Sequence, residues 1–241
     1  MELSETEAHI WFICSDYPLT SLSEEQQSLY TESLDEAELK RSEDYLFETD
    51  RNFFIFSRFT LRRILASYLG LKPSEVKLGT TSYGRPTILN SEQDHRLQFN
   101  LSHSEGRVAV GICLDREIGI DVEVTPGEKR ILEMASLGLS PSEQEAFLSL
   151  DPARQKERFF EYWTLKEAFT KALGVGYKLP FNKVQFEFKE EGGIKLSRSG
   201  NRNENPADWQ FQLSKPDSVS QMAVALRKGP YPDLNLLLLS F

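Results

Sequence analysis

Residues 118–124, with the sequence IGIDVEV, alternate between branched apolar side chains and either glycine or a carboxylate. A period of two is typical of a β-strand, because successive side chains of a strand point to opposite faces. The pattern predicts a strand that buries its isoleucines and valines and presents Asp121 and Glu123 together on the other face. Gly119 lies on the carboxylate face, where it predicts a close approach of a ligand to the backbone.

Two carboxylates this close repel each other unless a positive charge lies between them. A magnesium ion held by one or two carboxylates and by substrate phosphates fits the arrangement. An ordinary half-exposed strand with acidic outward positions also accounts for the same seven residues, so the segment by itself leaves both readings open.

A helix is predicted over residues 157–173, and Gly174 is its expected stop. Its apolar stripe consists of Tyr162, Leu165, Phe169 and Leu173. On a neighbouring face, Trp163, Glu167 and Lys171 recur every four residues. Glu167 is a candidate third metal ligand, and Lys171 is a candidate phosphate contact or proton carrier. A simple intrahelical Glu–Lys pair is the alternative.

The order of predicted elements favours an α+β fold. Further helices are expected within residues 23–40, over residues 51–69 with Gly70 as the stop, and from Ser140. Strands are expected at residues 8–16, 76–80, 96–102, 108–113, 116–124, 184–188, 209–214, 222–226 and 234–239. Because each half mixes helices with short strands, we predict two related halves, residues 1–115 and 116–241.

The charge distribution predicts a local anion site. The chain carries a net charge of -9, and residues 1–50 hold 14 acidic and 2 basic side chains. Residues 51–116 instead hold 10 basic and 5 acidic ones. A basic stretch inside an acidic chain points away from a nucleic-acid-binding protein and towards a small anionic ligand, although a solvated helix face is also compatible.

Three features supply candidate phosphate ligands. The segment FNLSHS, residues 99–104, ends a predicted strand with Ser102 and His103; adjacent strand residues point apart, so these two do not form a nucleophile–base pair. A turn, YGRP, presents Arg85. On the helix over residues 51–69, Arg58 and Arg62 lie one turn apart, and guanidinium groups suit phosphate monoesters.

Composition excludes several classes of protein. No uninterrupted apolar run is longer than five residues, and the run at residues 236–239 has four, far short of the roughly 20 residues of a membrane span. The acidic beginning of the chain does not resemble a secretory signal. Cys14 and Cys113 are isolated, which argues against a zinc site and is typical of reduced thiols in the cytoplasm.

In combination, these motifs closely resemble the Sfp-type 4′-phosphopantetheinyl transferases. The resemblance rests on YGRP (83–86), FNLSHS (99–104), IGIDVE (118–123) and WTLKEAFTKALG (163–174), which occur in the family's order and spacing. It implies a pseudo-dimer of two similar α+β halves with coenzyme A in the cleft between them. It also implies transfer of the phosphopantetheine arm of coenzyme A to a serine of an apo acyl or peptidyl carrier protein.

The resemblance assigns roles to individual residues. It implies Mg2+ ligation by Asp121, Glu123 and Glu167, with Asp121 also part of the coenzyme A site. Glu167 is the first choice, and Lys171 the second, for accepting the serine proton. The implied contacts to the phosphates and adenosine of coenzyme A are Arg41, Arg58, Arg85, Ser102, His103, Lys166 and Lys171.

Two other functions remain compatible with the sequence. A magnesium-dependent hydrolase of the coenzyme A pyrophosphate would use the same carboxylates, and a degenerate member would bind carrier proteins without modifying them. We expect a monomeric cytoplasmic enzyme. We also expect the carrier to dock through apolar contacts and a few cations, with Lys129, Arg130 and residues 171–178 as candidates.

Overall fold

The computed structural model describes residues 1–15, 22–90, 96–124, 131–175, 178–189 and 192–240. These residues form six α-helices and eleven strands. The helices are α1 (Glu24–Thr31), α2 (Glu36–Glu43), α3 (Glu48–Leu69), α4 (Ile131–Gly138), α5 (Pro141–Leu148) and α6 (Pro152–Leu173). The strands are β1 (Glu7–Cys14), β2 (Leu78–Thr80), β3 (Pro86–Ile88), β4 (Leu97–Ser104), β5 (Arg107–Leu114), β6 (Ile118–Val124), β7 (Val184–Phe188), β8 (Ile194–Ser199), β9 (Trp209–Ser214), β10 (Ser220–Arg227) and β11 (Asn235–Leu239). The expected α+β class is confirmed.

Two larger sheets organise the described residues. One has the strand order β11-β1-β5-β4, with β11 parallel to β1 and the other pairs antiparallel. The other has the order β6-β10-β9 and is antiparallel throughout. The final strand, β11, thus joins the sheet that contains the first strand, and the chain returns to its beginning. The division at residue 115 stays a prediction.

The two longest helices end in the same way. Both α3 and α6 have 22 residues, and each stops at a glycine in the left-handed region, Gly70 at φ 68° and Gly174 at φ 64°. A glycine is favoured there because it has no Cβ to clash. Both predicted stops are confirmed. Helix α6 begins at Pro152, five residues earlier than expected, since its first turns are polar and carry no apolar period.

Three apolar clusters hold the elements together. One packs α3 on the β1-β5-β4 sheet, and another packs α6 on β10, β9 and the β7–β8 hairpin. The third joins the two sheets through side chains of β1, β5, β6 and β10. Ile118, Ile120 and Val122 lie in this third cluster, which confirms the predicted buried face of β6.

Gly119 marks the closest approach of β6 to α6. A Cβ built there would lie 2.0 Å from the Ala168 carbonyl oxygen and 2.4 Å from the Ala172 nitrogen. The neighbour of Gly119 is therefore the backbone of α6. The expectation of a ligand at this glycine was wrong, and its absent side chain brings the carboxylate strand against the helix that carries Glu167.

Gly119→Ala should destabilise the protein by about 3 kcal/mol or more, because backbone atoms of α6 cannot rotate away from the added methyl group. Urea denaturation measures this change. Gly111→Ala is the matched control: its Cβ would meet the mobile end of Ile118, whose Cδ1 lies 2.9 Å away. Equal losses of stability in the two variants would contradict the assigned role of Gly119.

Candidate active site

The edge strands of the two larger sheets, β4 and β6, lie side by side and are joined by polar side chains of β4. Asn100 Oδ1 accepts a hydrogen bond from the Ile120 N–H at 3.0 Å. Ser102 Oγ donates to Asp121 Oδ1 at 2.9 Å. Ser104 Oγ donates to Glu123 Oε2 at 3.1 Å and accepts from the Val124 N–H at 3.2 Å. The sequence analysis missed Asn100 and Ser104. The pattern that could have identified both residues is the polar side chain at every second position of β4, since residues two apart on a strand share a face.

Asp121 is the centre of the site. Its Oδ1 accepts from Lys171 Nζ at 2.7 Å as well as from Ser102, and Lys171 also donates to Ser102 Oγ at 2.8 Å. Residues predicted on β4, β6 and α6 thus meet at one carboxylate. Asp121 is 3% exposed, and its Oδ2 is buried without a hydrogen-bond partner among the described residues. A buried carboxylate oxygen without a partner is costly unless a ligand completes it.

The charge of Asp121 raises the pKa of two further carboxyl groups, those of Glu123 and Glu167. Burial and then the Asp121 charge raise the pKa of Glu123 to about 7, against the opposing effects of Ser104 and Lys171. Burial and then Asp121 also raise the pKa of Glu167 to about 7, against Lys171. The three carboxyl groups therefore concentrate negative potential at one place.

The chemistry of the donor atoms of Asp121, Glu123 and Glu167 fits a magnesium ion. Within the described ranges, no three His, Cys, Asp or Glu side chains already form a metal-binding group. The available donors are nevertheless hard carboxylate oxygens, which magnesium prefers. The unpartnered Oδ2 of Asp121 and the unfavourable ionisation of Glu123 and Glu167 are the features that a bound cation would relieve.

Positive side chains lie near His103, which follows Ser102 on β4. The pKa of His103 is lowered first by desolvation, then by Lys171, and further by Arg58 and Arg41. His103 remains exposed, and its ring meets that of Phe53 edge-on at 5.2 Å. Four residues predicted from separate motifs thus act on one region, which can bind an anion.

Arg58 and Arg62 differ in what they do. Arg62 is 1% exposed and donates to Glu38 Oε2 at 2.6 Å, Asp35 Oδ2 at 2.6 Å and the Val76 carbonyl at 2.6 Å. The proposal of Arg62 as a phosphate ligand was wrong, because its donors are used inside the fold. Arg58 is half-buried and forms an ion pair with Glu38 Oε1 at 2.5 Å. Its charge also helps to lower the pKa of His103, so Arg58 lies close to the region that can bind an anion.

Arg85 contacts backbone atoms of three elements. Its guanidinium donates to the carbonyl oxygens of Ala172 at 3.2 Å, Phe99 at 3.3 Å and Ile118 at 3.3 Å. Burial lowers its pKa, and the nearby charge of Glu117 opposes this. Arg85 therefore ties the end of α6 to β4 and β6, and its contact with a phosphate stays a prediction.

Lys166 has no exposed surface. It is 0% exposed and forms a buried ion pair with Glu143 at 2.5 Å. Desolvation lowers the pKa of Lys166, and the charge of Glu143 opposes this effect. This location contradicts the coenzyme A contact expected of Lys166, since a side chain without exposed surface has no access to a bound cofactor.

An apolar groove of about 310 Å3 begins beside Glu167. Its lining residues are Met134, Leu137, Gly138, Trp163, Glu167, Leu179, Pro180 and Phe181. Trp163 and Glu167 share this groove, as their spacing of four predicts. Leu137 lines the groove and is exposed, and Leu132 of the same helix is exposed as well. An exposed apolar side chain that continues an apolar groove is typical of a surface that meets a partner.

No helix of the described residues combines the length and the hydrophobicity that crossing a lipid bilayer requires.

Two family models match the chain. Residues 117–226 match the 4′-phosphopantetheinyl transferase superfamily, and residues 21–113 match the N-terminal part of a 4′-phosphopantetheinyl transferase. The chain is 34% identical over 176 residues to the 4′-phosphopantetheinyl transferase HetI of Nostoc sp., covering 73% of this chain and 72% of that protein. It is 26% identical to the 4′-phosphopantetheinyl transferase Sfp of Bacillus subtilis, covering 93% and 94%. A third relative is the rat L-aminoadipate-semialdehyde dehydrogenase-phosphopantetheinyl transferase, 28% identical over 83% of this chain and 69% of that protein.

Proposed function

We propose that this chain, which belongs to the Sfp-type 4′-phosphopantetheinyl transferase family, transfers the phosphopantetheine arm of coenzyme A to a serine of an apo acyl or peptidyl carrier protein. The leaving product is 3′,5′-ADP. The observation that carries the proposal is the site around Asp121, where buried carboxyl groups lie beside Lys171, and where His103, which follows Ser102 on β4, is close enough to Arg58 and Arg41 for their charges to lower its pKa. A substrate with a pyrophosphate and a separate phosphate suits both kinds of group, since the carboxyl groups would hold a metal ion and the cations would hold phosphate oxygens.

We infer that coenzyme A binds in a cleft between two related halves. In support of this, β4 belongs to one sheet and β6 to the other, and the site residues come from both. The matched lengths and ends of α3 and α6 also favour a pseudo-dimer. A boundary near residue 115 would place α3 in the first half and α6 in the second. Strand β11 would then be the part of the second half that pairs with β1 of the first.

Within this cleft, the cations would hold the phosphates. The half-buried ammonium of Lys171 donates to Asp121 and to Ser102, and its third N–H can face a phosphate oxygen. His103, Arg58 and Arg41 are the candidates for the 3′-phosphate. Arg41 is exposed and lies 5.5 Å from the ring centre of Phe54, which leaves its donors at the surface. Magnesium held by Asp121, Glu123 and Glu167 would neutralise charge on the pyrophosphate and on the leaving group.

The reaction itself needs a nucleophile and a proton acceptor. The carrier serine supplies its Oγ, which forms a bond to the phosphorus of the pantetheine phosphate while the bond to 3′,5′-ADP breaks. We assign acceptance of the serine proton to Glu167, with Lys171 as the second choice. In the absence of metal, the pKa of Glu167 is raised to about 7, which favours a proton acceptor at neutral pH. Ligation of magnesium by the same carboxylate would lower its basicity, and for this reason Lys171 is kept as the second choice.

We infer that the carrier protein docks over the apolar groove beside Glu167. The exposed Leu137 and the apolar lining of the groove would supply contact area, and the serine would then enter next to the proton acceptor. Lys129 and Arg130, expected to add cationic contacts, lie outside the described residues. Lys178 is exposed and lies 4.7 Å from the ring centre of Tyr83, so it remains a candidate for that role. We further propose that the enzyme is a cytoplasmic monomer.

Intact-mass measurement tests the function. Incubation of an apo carrier protein with the enzyme, magnesium and coenzyme A should add about 340 Da, the mass of one phosphopantetheine arm. Removal of magnesium by EDTA should stop the reaction, and fresh magnesium should restore it. Cleavage of coenzyme A without a carrier would instead favour the hydrolase. Carrier binding without a mass change would favour the degenerate module.

A further inference from the structure

Lys166 is held by an unusually complete set of acceptors. Its ammonium donates to Glu143 Oε2 at 2.5 Å and to the carbonyl oxygens of Val184 at 2.6 Å, Phe181 at 2.8 Å and Gly138 at 3.1 Å. An ammonium has three N–H groups, so every donor of Lys166 is used and one is shared. No donor remains for a cofactor or a substrate.

Glu143 is satisfied as completely as Lys166. Its Oε2 also accepts from the Ser140 N–H at 2.7 Å, and its Oε1 accepts from the Phe186 N–H at 2.8 Å. The pair therefore connects α6 to the end of α4, the start of α5, the 3-10 turn at Phe181–Lys183 and β7. A buried pair with all its partners in place contributes more to the geometry of the surrounding segments than to net stability.

Two of the four acceptors belong to the walls of the groove. Gly138 ends α4 on one side, and Phe181 begins the 3-10 turn on the other. Trp163 lies between them: its ring meets that of Phe181 edge-on at 5.2 Å, and a Cβ added to Gly138 would lie 3.1 Å from it. The buried ammonium of Lys166 thus binds the backbone of both groove walls. Lys166 directly precedes Glu167, which also lines the groove.

We propose that Lys166 and Glu143 are positioning residues that set the separation of the groove walls and thereby the affinity for the carrier protein. The inference deepens, and rests on, the proposed transfer to a carrier docked at this groove. The pair contacts none of Asp121, Ser102 and Lys171, which lie where α6 meets β4 and β6. Its loss should therefore affect the carrier and leave coenzyme A binding unchanged.

The test is a double substitution, Lys166→Met with Glu143→Gln, which removes both charges and leaves no unpaired buried ion. We expect the KM for the apo carrier to rise about fivefold or more, while the KM for coenzyme A stays within about twofold. The matched control is Lys195→Met with Glu187→Gln. It makes the same substitutions in an exposed pair on β7 and β8, 3.8 Å apart, and should change neither KM.

Two results would overturn the positioning role. A lower melting temperature and lower kcat with both KM values unchanged would assign the pair to stability alone. A rise in the coenzyme A KM as large as that for the carrier would return Lys166 to the cofactor site. If the double variant does not fold, Glu143→Gln alone must raise the carrier KM, and an unchanged value overturns the proposal. Absence of transfer by the wild-type protein would instead be a failure of the proposed function.

Discussion

Asp121→Asn should lower kcat/KM for phosphopantetheine transfer by about 10²-fold or more, because an amide cannot serve as an anionic oxygen ligand where charge develops. The variant keeps an oxygen for the hydrogen bonds from Lys171 and Ser102, so the junction of β4, β6 and α6 should be preserved. The change falls on the unpartnered Oδ2. Steady-state rates over a series of magnesium concentrations, together with thermal unfolding, measure both effects.

Asp233→Asn is the control for this substitution. Asp233 is a surface residue paired with Lys228 at 2.6 Å, and its replacement should change neither the rate nor the magnesium requirement. Near-normal turnover of Asp121→Asn at every magnesium concentration would remove Asp121 from the proposed site. A large drop in its melting temperature would instead show that the carboxylate is needed chiefly to hold Lys171.

Glu167→Gln should lower kcat/KM by about 10²-fold or more, since it removes the proposed proton acceptor. It should also change the pH dependence. In the absence of metal, burial and Asp121 raise the pKa of Glu167 to about 7, and a bound magnesium ion would lower it. In the wild type, the basic form should therefore be lost, and the rate should fall, as the pH drops through about 7 at limiting magnesium, and at a lower pH when magnesium is saturating. Glu123, whose pKa is also raised to about 7, contributes to the same acidic limb. The limb of the variant should therefore become shallower without disappearing.

Profiles of kcat/KM between about pH 5.5 and 8.5 test this expectation. Glu161→Gln is a matched control on the same helix: burial also raises the pKa of Glu161, but its ion-pair partner is Arg158, away from Asp121. That variant should keep the wild-type rate and profile. If Glu167→Gln keeps them as well, the proton acceptor is another group, and Lys171 is the next to replace.

Much of the site could be predicted from local patterns. The alternation in residues 118–124 placed Asp121 and Glu123 on one face, because a strand offers a side chain only two directions. The spacing of four on α6 placed Trp163, Glu167 and Lys171 along one face for the same kind of reason. Both helix stops followed from a glycine, whose missing Cβ permits the left-handed conformation.

Residues far apart in the sequence were harder to assign. Arg58 and Arg62 look equivalent on the helix surface, and both pair with Glu38 of α2. Arg62 is buried there and also bonded to Asp35, the N-cap of α2, whereas Arg58 is close enough to His103 for its charge to lower the pKa of that residue. Helix α4 was missed, because its apolar period extends over only eight residues, which is little more than two turns of local signal. No local pattern tells which face of a helix another helix will cover, since that depends on packing across the whole chain.

The sequence by itself determined the family and the α+β class, and it supplied the carboxylate and cationic residues of the proposed site, because these depend on residue type and short-range period. Tertiary structure alone decided how those residues are used. It packed Gly119 against α6, joined Lys171 to Asp121, and placed Lys166 in the interior beside Glu143. The physical reason is that burial and pairing, which set the charge state and accessibility of a side chain, arise only when distant segments exclude water together.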